Sequence, residues 1–254
     1  MPFRQVQPER LSHAVVRQIE ELILRGLLRP GERLPSERDL SERLGVSRPS
    51  LREAVADLQA RGLLSSRAGA GIFVSEALAA TFPPALTELF GSHAEAVVDY
   101  IAFRRDMEGL AAERAVRNGT DTDLAVIDAV FRRMEAAHRD PDAAREAQLD
   151  AEFHLSIIES CHNVVMLHMM RAMFRLLREG VFYNRQVMFG RSVTRDSLLD
   201  QHRAINDAIQ SRDADAARAA TEAHLGYVEE ALLAQQKVDA QDALARQRLA
   251  RERR

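Results

Sequence analysis

The chain has 254 residues with a net charge of −3, 46% hydrophobic and 29% charged side chains, and only 12 Gly and 8 Pro. That balance excludes collagen-like, low-complexity and largely disordered chains, and it leaves length for one large or two modest domains. Aromatic residues make up 5%, with no Trp, and long stretches rich in Ala, Leu, Arg and Glu favour helices, so the expected fold class is mainly α.

In chain order, Leu11, Val15, Ile19 and Leu22 form an apolar stripe at helical spacing, ended by Gly26 and the turn Pro30-Gly31. Ser36 and Asp39 have capping-box spacing ahead of Leu40 and Leu44, and Gly45 closes this short second helix. Ser47 caps a third helix with Pro49 in its first turn and Leu51, Val55 and Leu58 on its core face, before Gly62. Two apolar runs, Leu63 to Arg67 and Ile72-Phe73-Val74, flank Ala68-Gly69-Ala70-Gly71 and predict a small hairpin. Residues 8–75 are therefore expected to form a winged helix-turn-helix.

Residues 76–92, with Thr81-Phe82-Pro83-Pro84, read as a linker or a short helix ended by prolines. Residues 93–238 read as an all-α antiparallel bundle of about six helices, broken at Asn118-Gly119, Asp140-Pro141, His162-Asn163, Gly190 to Thr194 and Ser211-Arg212-Asp213. Residues 239–254 are a polar, Arg-rich tail to which no structure is assigned. Cys161, the single cysteine, can form no internal disulfide and no thiolate zinc site alone, which fits a reducing compartment. The first eight residues lack the apolar region of an export signal, and no window is apolar enough to span a bilayer. A cytoplasmic protein without a membrane partner is the expectation.

Charge separates the two parts. Residues 1–75 carry twelve Arg against nine acids, net +3, and the remainder is net −6. In a winged helix-turn-helix the second helix of the pair enters the major groove N-terminus first, so the exposed side chains of its first turns reach base edges and phosphates. Here that helix begins Ser47-Arg48-Pro49-Ser50; Arg48 and Arg52 lie one turn apart opposite Leu51 and Val55, and arginine is the best bidentate reader of guanine. Arg38 near the start of the second helix, Ser47 and Ser50 are phosphate candidates, and Gly69 in the wing permits close backbone approach to a duplex. The other reading of these arginines is a solvated helix surface balanced by Glu37, Asp39, Glu42 and Glu53.

Asp150 and His154 are four apart on one helix and can meet one ion; if His202 and His224 converge on them, one oxygen and three imidazole nitrogens suit a borderline divalent metal such as Zn²⁺ or Ni²⁺. The spacing equally allows an Asp to His hydrogen bond beside two unrelated histidines. His13, His93, His138, His162 and His168 read as surface or hydrogen-bonded histidines, and Cys161 as packing.

Leu34-Pro35-Ser36-Glu37-Arg38-Asp39-Leu40, with Gly45-Val46-Ser47-Arg48-Pro49-Ser50-Leu51-Arg52-Glu53-Ala54, resembles the reader head of the GntR family. The resemblance implies operator contacts from Arg38, Arg48, Arg52 and Gly69, and homodimers on a short palindrome. Leu149-Asp150-Ala151-Glu152-Phe153-His154, followed by His202 and, after Asp213 and Ala217, by His224, resembles the all-helical FCD ligand domain of the FadR subfamily. Together the similarities cover nearly all of residues 10–235. They imply that Asp150, His154, His202 and His224 ligate a divalent metal, zinc first with nickel or manganese as alternatives, and that the metal and Arg104 hold a small carboxylate effector. Arg104 has a second reading, a surface ion pair with Glu108 at i, i+4. Ser160 to His168 is similar to the branch that senses lactate, pyruvate or glycolate-like acids, although its Val, Met and Leu positions read as core. The expected function is a transcription regulator, more often a repressor in this family. The rival is a metal-dependent hydrolase or lyase, which needs a general base by the metal; Glu152 points away from Asp150 and Glu159 lies two turns from it. A metal-storage protein would leave the winged head unexplained.

Overall fold

In the computed structural model, which describes residues 10–67, 69–79, 82–140, 142–178 and 192–252, three helices open the chain: α1 (Leu11–Leu24), α2 (Glu37–Leu44) and α3 (Arg48–Ala60). Helix α1 buries Val15, Val16, Ile19 and Ile23 and packs on α3. This corrects the expected stripe: Leu11 is 57% exposed and Leu22 only half-buried, because the buried face runs through Val16 and Ile23 as well as Val15 and Ile19. Ser36 Oγ caps α2 by accepting from the Asp39 N–H at 3.2 Å, and Gly45 ends the helix at φ 63°, where a side chain would be strained. Ser47 Oγ caps α3 by accepting from the Ser50 N–H at 3.3 Å. Leu51, Ala54, Val55 and Leu58 form its buried face, and complete burial of Leu51 and Leu58 stabilises the unit by roughly 1.5–3 kcal/mol each.

Strands β1 (Leu64–Arg67) and β2 (Gly71–Val74) make the wing, antiparallel from Leu64↔Val74 to Arg67↔Gly71. The segment before α2 adds to it unexpectedly. The Gly31 N–H donates to the Val74 carbonyl at 3.0 Å, the Val74 N–H to Glu32 O at 2.9 Å and the Leu34 N–H to Ile72 O at 2.9 Å, so the free edge of β2 is tied to the body of the head.

The chain divides into two compact units between Pro83 and Pro84. Residues Glu76–Ala79 form one 3₁₀ turn, and Pro84–Ser92 form helix α4. The proline read as a terminator is instead the first residue of a helix, where its fixed φ and missing N–H carry no penalty. Beyond it come α5 (Ala94–Asn118), α6 (Asp121–His138), α7 (Ala143–Ser160), α8 (Val164–Arg178), α9 (Ser192–Gln210) and α10 (Ala214–Glu252). The expected breaks near residues 118, 140, 162 and 211 fall between helices; of the one at 190–194, residues 190 and 191 lie outside the described residues, and Ser192 already belongs to α9.

Helix α10 continues to Glu252 through the segment left without structure. Ala, Gln, Leu and Arg there are strong helix formers, and after Gly226 neither Gly nor Pro interrupts them. Phe131, Phe153, Ile127, Ile205 and Ile209 anchor the core that α6, α7 and α9 share, with the two phenylalanine rings 6.1 Å apart. Thr120 and Asp123 form a reciprocal capping box on α6. Gly119 after α5 has no room for a side chain, since a Cβ would collide with the Ala115 carbonyl. No described helix is long and apolar enough to cross a membrane.

Candidate nucleic-acid interface and candidate metal centre

The caps that start α2 and α3 fix which side chains leave the head. Leu51, Val55 and Leu58 are buried, and Arg48 in the first turn of α3 and Arg52 one turn on are both exposed; at about 3.6 residues per turn they flank the buried face and do not lie opposite it, which corrects the sequence reading. Arg48 has no ion-pair partner among the described residues. Arg52 donates from Nε to Glu37 Oε2 across to α2 at 2.8 Å and stays 66% exposed. Arg38 is 74% exposed, with Nε 3.5 Å from Asp39 Oδ1. Gly69 is exposed at the wing turn with φ +70°. Ser47 and Ser50 bond to each other through their hydroxyls at 2.9 Å, so their first role is to start α3. Arg67, which the sequence reading did not single out, lies with its guanidinium carbon 4.4 Å from the Phe73 ring centre and pairs with Glu76 at 2.9 Å.

In the second unit, α7 supplies Asp150 and His154, α9 supplies His202 and α10 supplies His224. All four are buried, and one donor atom from each lies within 4.8 Å of the others. Asp150 Oδ1 is 3.0 Å from His202 Nε2 and 3.7 Å from His154 Nε2, and the two Nε2 atoms are 3.2 Å apart. Two residues that the sequence reading did not assign to the cluster orient the rings from outside. Glu108 of α5 accepts from His154 Nδ1 at 2.7 Å, and Gln201 Oε1 accepts from His224 Nδ1 at 2.9 Å. Fixing Nδ1–H in this way turns the Nε2 lone pairs of both rings inward, the arrangement that orients metal-bound imidazoles.

Glu108 is itself clamped by Arg104, whose Nε donates to Oε1 at 2.6 Å. Arg104 is 1% and Glu108 2% exposed, so the pair is buried, contrary to the surface ion pair read from their spacing. Burial raises the Glu108 pKa, but the Arg104 and His154 charges outweigh it and hold the carboxyl at about 2. Burial also pushes all three histidines down. For His154 the carboxylates Glu108 and Asp150 reverse that effect and raise it, whereas His202 stays low despite Asp150. His224 lies well below the usual range because the His202 and His154 charges add to burial.

This donor set fits a divalent cation. A proton shared between two Nε2 atoms satisfies one pair, whereas an ion at the convergence satisfies three imidazole nitrogens and a carboxylate oxygen together. His13, His93, His138, His162 and His168 stay outside the cluster; His138 and His162 face Asp196 and Asp123 at 2.9 and 3.0 Å. In the segment after Cys161, Met166 and Leu167 are buried as expected of core positions, but Val165 is 70% exposed.

A winged three-helix head and a separate helical domain with a buried Asp/His cluster are the parts of a DNA-binding transcription regulator. Residues 11–74 match the bacterial regulatory proteins, gntR family, and residues 99–227 match the FCD domain. The chain is 38% identical over 230 residues to the "Putative L-lactate dehydrogenase operon regulatory protein" of Escherichia coli K12, covering 88% of this chain and 86% of that protein. It is 31% identical over 225 residues to the Glc operon transcriptional activator of the same strain, covering 87% and 89%. Streptococcus agalactiae GntR shares the fold at a TM-score of 0.55 and 24% identity, with 86% of this chain and 99% of that one covered. The chain belongs to the GntR family of bacterial transcription regulators, in its FCD-containing FadR subfamily. The family and these relatives are regulators rather than enzymes, which sets aside the hydrolase or lyase alternative.

Proposed function

We propose that the protein is a cytoplasmic repressor that binds a palindromic operator as a homodimer and is released by a small hydroxy or keto acid of the lactate, pyruvate or glycolate class. The observation that carries the effector half is the buried cluster of Asp150, His154, His202 and His224. These residues would hold a divalent ion, zinc first and nickel or manganese as alternatives. When bound, such an ion supplies a Lewis-acidic anchor for a carboxylate and its neighbouring oxygen. Arg104 supplies positive charge to the same site. Glu108 accepts from it at Nε and Nη2, at 2.6 and 3.4 Å, and in this reading the arginine is the effector-binding group on α5.

In the head, residues 8–75, Arg48 and Arg52 read base edges while Arg38, Ser47, Ser50 and Gly69 meet the phosphate backbone. Residues 76–92 connect it to the effector domain of residues 93–238. Coupling of the two functions is linkage. An acid that prefers the dimer whose heads do not match the half-sites lowers DNA affinity by the factor by which DNA lowers acid affinity, about 5- to 150-fold for common couplings. The relative named for an L-lactate dehydrogenase operon supports the acid class.

The test is a mobility shift of the full-length protein on its adjacent intergenic DNA, with and without two- to four-carbon hydroxy and keto acids, before and after chelation. The reading expects one acid to release the DNA, and chelation to abolish that release while leaving DNA binding intact. A shift insensitive to every acid in the metal-loaded protein refutes the effector assignment, and acid-enhanced binding refutes release.

A further inference from the structure

The Arg52–Glu37 contact carries an inference about how DNA is read. Glu37 is the first residue of α2, held by the Ser36 cap, and at that end the helix dipole stabilises a carboxylate. It takes Arg52 through Nε alone, at 2.8 Å. A guanidinium is a rigid planar fork, so a carboxylate on Nε sets its plane and leaves the edge made by the two Nη groups, the one that matches guanine O6 and N7. Neither Nη group has a partner among the described residues, and the side chain remains exposed. The other two arginines lack this arrangement: Arg38 lies against its own neighbour Asp39, and Arg48 has no ion-pair partner among the described residues.

We infer that Glu37 is a positioning residue that sets specificity by presenting Arg52 edge-on to one guanine. The inference rests on the assignment of α3 as the reading helix.

The experiment uses full-length protein and the duplex that the wild type selects from a randomised library. Fluorescence anisotropy gives the ratio of affinities for that duplex and for one carrying A·T in place of each G·C. Arg52→Ala identifies the base pair it reads by loss of the ratio there. Glu37→Ala is expected to lower the ratio at that same pair by about tenfold, within the range of one bidentate base contact, and to bind unrelated duplex no more weakly than wild type. Glu37→Gln keeps an acceptor for Nε and retains most of the ratio, and Glu37→Ala in the Arg52→Ala background changes it no further. A wild-type ratio in Glu37→Ala at the pair that Arg52→Ala loses overturns the proposal. Equal weakening on all duplexes, together with a lower melting temperature, also overturns it by showing only the structural role of an acid at a helix start. Retention of every ratio by Arg52→Ala overturns the reading-helix assignment itself.

Discussion

Replacing Glu108 by alanine separates the two roles its carboxylate plays in the helical domain. It removes the acceptor that faces Arg104 at 2.6 Å and His154 at 2.7 Å, at a site where the side chains are only 1–3% exposed. Taking one partner from a buried ion pair costs about 3–5 kcal/mol, because the remaining charge keeps its desolvation penalty. For a domain of this size each kcal/mol lowers Tm by about 2–4 °C, so the metal-free Glu108→Ala protein should melt roughly 6–20 °C below wild type. Loss of the group that orients His154 should also weaken metal binding about 10- to 100-fold. A double variant, Arg104→Met with Glu108→Leu, removes both charges of the ion pair together. It should recover most of the Tm while metal affinity stays low, since His154 still lacks its acceptor. Scanning calorimetry of the chelator-treated proteins and competition of zinc against a chromogenic chelator read the two effects separately. A Glu108→Ala protein that melts within 2 °C of wild type and binds zinc equally well would refute the reasoning.

Other expectations follow from single sites. Arg48→Ala should weaken binding to the selected operator by about 1–3 kcal/mol, the worth of one bidentate base contact, and leave zinc binding unchanged; His202→Ala should do the reverse, by mobility shift and zinc titration. Cys161 is 2% exposed, its thiol donates to the Ile158 carbonyl at 2.9 Å, and burial raises its pKa, so a thiol reagent should modify it only in denaturant. Asp123 is held below the ordinary carboxylate range: burial raises it, but the Thr120 bonds and His162 outweigh that. A depressed folded pKa stabilises above the unfolded value of about 3.9 and fades as pH falls through the lower folded value. Asp123→Asn should therefore cost about 1 kcal/mol at neutral pH, and the deficit should shrink as melting curves are taken below about pH 3.9.

Local signals were the readable ones. Ser36, Gly45, Ser47 and Pro49 act within a few residues of themselves, so the boundaries of α2 and α3 follow from them directly. Asp150 and His154 share a helical turn, and the resemblance supplied His202 and His224, whose convergence the structure brings about through α9 and α10. Glu108 and Gln201 were invisible as ring-orienting groups because their roles exist only across helix interfaces. The i, i+4 spacing of Arg104 and Glu108 announced a contact but said nothing of depth. Phase was also beyond a pattern of apolar residues: Leu11 and Val16 are both hydrophobic, and only the packing of α3 on α1 decides which is covered. Pro84 shows the same ambiguity, since a proline that ends one element can begin another.

The four donors of the Asp/His centre come from α7, α9 and α10, and they are brought together only after most of the chain has been made. Apart from the single turn holding Asp150 and His154, an unfolded polypeptide offers no preformed chelate, so capture of an ion at this centre would be one cooperative event with bundle assembly. Losing the ion should then loosen three helices in unison, with backbone amides in all three exchanging faster with solvent deuterium. Under the proposed function, readiness to respond to the acid would in that sense be tied to the cell's supply of the ion.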